Sequence, residues 1–164
     1  MVNNLLSTLS RQELEILKQG GQHLRHYQSE LFEQLTKILN SLMFHNAHTL
    51  HPSKLRDIAA EETDTFIKFL STDDVGSIDE RGKKLAELGM GYQSLLSICT
   101  CFTDICIDKL GAKNPELLKL ALKATQTYAN SVFEGYIQGF KMQLIKDLSQ
   151  TRQALNTVRQ QQQK

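Results

Sequence analysis

Apolar residues recur along this chain at helical spacing almost from end to end. Leu24, Tyr27, Leu31, Leu35, Ile38 and Leu42 form one stripe, which predicts a helix from about Gln22 to Asn46. Leu55, Ile58, Ala59, Phe66, Phe69 and Leu70 form another, on a helix that starts near Pro52 or Ser53. Leu95, Ile98, Cys99, Phe102, Ile105 and Cys106 mark the inner face of a third, from about Tyr92 to Leu110. Polar signals separate these runs. Ser10-Arg11-Gln12-Glu13 is a capping box opening a short helix to about Lys18, which Gly20-Gly21 should break or kink. His48 to Pro52 reads as a linker, and Ser71 to Gly76 as a loop. Ser77-Ile78-Asp79-Glu80 is a second capping box, before a short helix ending at Gly89. Gly111 stops the Tyr92 helix. No strand pattern and no internal repeat interrupts this order, so the chain is all-α.

The last helix is the anomaly. Asn114 is a suitable N-cap and Pro115 suits the first helical position. No proline or strong stop follows before Lys164, and Gln160 to Gln163 reads as a frayed glutamine tract. At 1.5 Å per residue the helix would run roughly 70 Å, whereas a compact domain of this size is about 30–40 Å across. Its far half must leave the body. The pattern divides the chain into a helical body over residues 1–135 and a protruding linker helix over 136–164.

The apolar stripe narrows along that helix. Leu117, Ala121, Ala124 and Tyr128 belong to a broad inner face. Beyond them Phe133, Ile137, Phe140, Leu144, Leu148, Thr151, Leu155 and Val158 follow spacings of 4-3-4-4-3-4-3. This is a heptad seam with one stutter, at Leu144 to Leu148, and a narrow seam suits a two-stranded coiled coil. These eight residues are the expected homodimer interface. Gly135-x3-Gly139 permits a close helix crossing, which could be that of the dimer. From Lys141 onward five lysines and arginines face the single Asp147, a local net of +4. The polar face is mostly glutamine, which argues against a helix lying on a membrane.

Composition adds few constraints. The 164 residues carry a net charge of +1 and 40% apolar residues, with two prolines and no tryptophan. That balance offers no global field for nucleic acid or membrane. The longest apolar stretch, Leu95 to Ile107, is broken by Thr100, Thr103 and Asp104, and Met1-Val2-Asn3-Asn4 begins no signal peptide. Three crowded cysteines, Cys99, Cys101 and Cys106, form no disulfide framework and point to a reducing cytoplasm.

Candidate chemistry is sparse. His45, His48 and His51, with His23 and His26 earlier, are possible metal ligands or a pH input, but no carboxylate or thiolate accompanies them. They read as a solvated helix end. The cysteines read as buried apolar residues, and a redox input through Cys101 would need exposure and a lowered pKa. Glu61, Glu62 and Asp64 read as a solvated face, with Glu62 near enough to the inner stripe to border a pocket. No nucleophile, base or metal set stands at usable spacing, and no phosphate loop or dinucleotide fingerprint is present. The chain is expected to be no enzyme.

From residue 53 the order is a long helix, a short helix ending in Gly89, a corner, and two long antiparallel helices. This order resembles E-F-G-H of a globin. Glu80-Arg81-Gly82-Lys83-Lys84-Leu85-Ala86-Glu87-Leu88-Gly89-Met90 is similar to the F helix and FG corner of sensor globins, and Tyr136-Ile137-Gln138-Gly139-Phe140 to the end of such domains. In that family the proximal histidine lies four residues before the glycine, where this chain has Leu85. Leucine cannot ligate iron, and no histidine follows position 51. The chain therefore resembles the non-haem sensor globins, the N-terminal domains of stressosome-type (RsbR-like) regulators of bacterial stress responses. The resemblance implies a globin-like bundle without cofactor, a homodimer, and a last helix that carries a signal to an output domain. A stand-alone helical adaptor is the other reading of the same helix.

Overall fold

The computed structural model describes residues 5–47, 49–71 and 78–162. The expectations for His48, for the loop from 72 to 76 and for the Ser77 cap lie outside them. The described chain runs α1 (Leu5–Thr8), α2 (Arg11–Arg25), α3 (Gln28–Ser41), a 3-10 turn (Met43–His45), α4 (Pro52–Ser71), α5 (Ile78–Glu87), α6 (Tyr92–Leu110) and α7 (Pro115–Gln162). No strand occurs among the described residues.

The local signals act as the physics of helix ends requires. The Ser10 hydroxyl accepts from the Glu13 N–H, and the Glu13 carboxylate accepts from the Ser10 N–H at 2.8 Å. Asn114 Oδ1 accepts from the Glu116 N–H at 2.9 Å, capping α7. His51 Nδ1 accepts from the Ser53 N–H at 3.3 Å at the start of α4. Gly89 closes α5 with φ 77°, while the N–H of Met90 donates to the Leu85 carbonyl and that of Gly89 to Ala86. This is a Schellman end, which favours glycine at the left-handed position.

Two boundaries differ from the sequence pattern. Gly20-Gly21 does not break α2, which runs unbroken to Arg25. Both glycines are buried, and a Cβ on Gly21 would lie 2.5 Å from the Ser71 backbone nitrogen. Tertiary packing against α4 and α7 outweighs an intrinsic helix cost of about 1 kcal/mol per glycine. The break falls instead at His26-Tyr27, where the His26 N–H donates to the His23 carbonyl and the Tyr27 N–H to Leu24. The helix expected to run to Asn46 also ends early, at Ser41, before the 3-10 turn.

Helices α2 and α3 pack on α4, α6 packs on α3 and α7, and α5 lies along α7. At the centre Phe66 stacks on Phe102 with ring centroids 4.0 Å apart, and Tyr128 meets both edge-on at 5.4 and 5.7 Å. Leu35, Leu55, Leu85 and Leu95 are fully buried in the same core. Helix α7 joins this core through Leu117, Leu120, Ala121, Ala124, Tyr128, Val132 and Tyr136. Its contact with the body continues to Gly139, and from Leu144 on every described residue is exposed.

Candidate functional site

The features with functional potential converge where α7 leaves the body. Helix α5 is pressed against α7 there by glycines on both helices. A Cβ on Gly135 would overlap the Asp79 carbonyl oxygen, and one on Gly82 would overlap the carbonyl oxygen of Val132. A Cβ on Gly139 would meet the Ala86 Cβ at 3.0 Å. Gly135-x3-Gly139 therefore serves a crossing within the chain, not a dimer crossing. The small residues let the two backbones touch, and α5 itself occupies the face they open.

A buried polar network fastens α5 to α4 and α7. Glu62 is completely buried, which corrects its reading as part of a solvated face. Its Oε1 accepts from Arg81 Nε at 3.0 Å and also from Nη2, and its Oε2 accepts from the Tyr128 hydroxyl at 3.1 Å. Arg81 Nη1 donates to Glu61 Oε2 at 2.8 Å, an oxygen that also accepts from Lys84 Nζ at 3.1 Å. The Arg81 hydrogen bond holds the Glu61 carboxyl below its ordinary value. Burial, and then the Glu62 charge, raise the Tyr128 hydroxyl well above its own. Burial opposes the charge on Arg81, but Glu62 and Glu61 keep the guanidinium protonated. Asp64 pairs on the surface with Lys68, 2.8 Å away. The signal for Glu62 was its place between Ile58 and Phe66 on the inner stripe of α4. Nothing in the sequence paired it with Tyr128.

Beside this clamp a groove of about 660 Å³ opens between the 45–47 segment, the α5–α6 corner and α7. Its floor is held by hydrogen bonds. The Tyr136 hydroxyl donates to the Met90 carbonyl at 2.7 Å, and the Ala47 N–H to the Gly89 carbonyl at 2.8 Å. Asn46 Oδ1 accepts from the Gly91 N–H at 2.8 Å and from the Ser94 hydroxyl at 3.0 Å. Phe140 and Leu144 form the α7 wall, and Glu87 and Asp147 stand at its edge. Sequence reasoning missed this groove, because its lining comes from three segments distant in the chain.

The expected seam residues fall into two groups. Phe133 is half-buried and packs on Tyr92, with ring centroids 5.5 Å apart. Ile137, Phe140, Leu144, Leu148, Leu155 and Val158 are exposed by 47–69%, and the Thr151 hydroxyl donates to the Asp147 carbonyl. Met142 and Ile145 are exposed as well.

The other candidates do not assemble. Among the described residues no three His, Cys, Asp or Glu side chains are placed to hold a metal ion. His45 lines the groove, His51 lies at the start of α4, and His23 and His26 lie together on α2 and its end. All three cysteines are buried. Burial raises Cys99 to about 12 and Cys101 and Cys106 to about 11. Cys101 thus has neither the exposure nor the lowered pKa that a redox input requires. No helix of the described residues is long and apolar enough to cross a membrane. No protein-family model, curated protein or solved structure matches the chain.

Proposed function

We propose that this chain is a non-catalytic sensory domain of a bacterial signalling protein, globin-like and without haem, which passes a signal through a dimeric C-terminal helix to an output domain. The carrying observation is α7 itself. It is one unbroken helix of 48 residues that begins in the core and continues past the body with its large apolar residues uncovered. Helices in proteins gain most of their stability from packing an amphipathic face, so the exposed face from Ile137 to Val158 calls for a partner. A second copy of the same helix satisfies the seam.

The helix order from α4 onward supports the globin-like part of the reading. Leu85 supports the absence of haem, because the position where a globin carries its iron ligand holds a buried hydrocarbon. The clamp of α5 on α7 supports transmission. It ties the exit helix to the centre of the body, so a change there reaches α7 directly. The cytoplasm is the expected compartment for its free thiols.

Sedimentation of the whole chain tests the dimer, and the expected species has twice the mass of one chain. An absorption spectrum of the purified protein tests the haem assignment, with no Soret band expected. A monomer with an intact fold would shift the reading to a helical adaptor that offers α7 to another protein.

A further inference from the structure

We propose that the groove at the base of α7 binds a small organic cation with an aromatic or similarly flat apolar body. Its size of about 660 Å³ lies within the range of small-molecule sites, roughly 300–1,000 Å³. The groove is preformed. Tyr136, Asn46 and the Ala47 N–H spend their hydrogen bonds on its floor, so no lining backbone has to reorganise to admit a ligand. Above that floor Tyr92 and Phe140 present aromatic surface, and Leu144 adds apolar surface.

Charge selects the ligand. The described lining contains two carboxylates, Glu87 and Asp147, and no lysine or arginine. Among the described residues His45 is its only other titratable side chain besides the tyrosines. Asp147 is the one acidic residue in a segment otherwise basic from Lys141 onward, and it stands on the groove rather than on the far side of the helix. A carboxylate beside aromatic faces recognises an ammonium group on a ring, since the rings attract the cation and the acid pairs with it. An anionic ligand of the same shape would meet two like charges.

Such a ligand would touch Tyr92 of the body and Phe140 and Leu144 of the exit helix at once. Its value as an input rests on the proposed sensory function; its binding does not, although Phe140 and Leu144 also belong to the proposed seam. The site is tested with 2-(2-naphthyl)ethylamine as probe, titrated into the whole chain and followed by amide chemical shifts. Saturable shifts confined to residues 45–47, 86–92 and 136–147 are expected. The ring-matched anion 2-naphthylacetate should bind at least about tenfold more weakly, as should the amine to an E87Q/D147N double variant. Both substitutions are at exposed positions, and an unchanged circular dichroism spectrum checks the fold of the variant.

Equal affinity for amine and acid, no saturable binding, or shifts centred on residues 148–158 would each overturn the site. An L148E/L155E variant separates this result from the dimer reading, because neither leucine lines the groove. Amine binding that persists in that variant supports the site whatever the oligomeric state. A wild-type dimer that ignores the amine removes the site alone.

Discussion

At the scale of single residues, Glu62 carries the largest stake. Glu62→Ala leaves the Arg81 guanidinium and the Tyr128 hydroxyl facing a buried vacancy, and a broken buried pair costs about 3–5 kcal/mol. Glu62→Gln keeps an acceptor and is expected to cost about 1–3 kcal/mol. Urea unfolding of both variants measures the difference, and a cost below 1 kcal/mol for the alanine would contradict the network. His23 sets a second expectation. Burial, then Lys113 and His26, hold its ring below the ordinary 6.5. The unfolded chain therefore takes up this proton more readily than the folded one. Stability is intact above 6.5 and falls as pH drops through that value. A melting series from pH 7.5 to 5.5 should show a steeper loss in the wild type than in His23→Gln. The three thiols, raised by burial, should resist a thiol reagent at pH 8 until the protein unfolds. The burial of Cys99 and Cys106 was legible from their spacing on α6. Glu62 was only half legible, because the stripe gave its direction but not the partners that make a buried charge tolerable.

At the scale of elements, the decisive contact is α5 on α7. Gly135→Ala would drive a methyl group into the Asp79 carbonyl, where backbone on both sides leaves no rotamer to yield. A loss of about 1–3 kcal/mol is expected, measured by thermal or urea unfolding. Gly139→Ala, with its nearest atoms at 3.0 Å, should cost less. The helices themselves were largely readable from caps and stripes, since α4, α5 and α6 begin or end where Pro52, Gly89 and Tyr92 imply. The glycines were not. A glycine pair in a helix reads as a break by intrinsic propensity, and a G-x3-G reads as a crossing with no named partner. Only the fold shows that Gly21 admits Ser71 and that Gly135 admits α5. The exposed stripe on α7 has its own gradation. Ile137, Phe140, Met142, Leu144, Ile145 and Leu148 make a wide face, which narrows to Leu155 and Val158. A wide face suits contact with more than one helix, and a narrow one a two-stranded seam.

At the scale of the whole molecule, α7 is one helix with two mechanical regimes. Through Gly139 it is held by the core, by α5 and by the Tyr136–Met90 hydrogen bond; from Leu144 on every described side chain is exposed, and hydrogen bonds such as Gln143 Nε2 to Asp147 Oδ1 at 3.1 Å stay within the helix. Shortening the chain separates the two. Ending it after Asp147 removes no described residue that is buried, so the body should keep its melting temperature apart from any stabilisation that dimerisation supplies. Ending it at Gly135 removes the buried Tyr136 and the Gly139 contact, opens one wall of the groove and should cost about 2–4 kcal/mol. Mass measurement on the same pair of fragments reads the seam, because the longer fragment retains Ile137 to Leu144 and lacks Leu148, Leu155 and Val158. If dimerisation rests on the narrow seam, that fragment is monomeric and L148E in the full chain gives the same result. If it rests on the wide face next to the body, the fragment still dimerises and L148E only weakens it. In the second case a partner helix would lie against Phe140 and Leu144, so the second copy would form part of the rim of the groove. Anything that fills the groove would then touch both copies where their helices leave the two bodies.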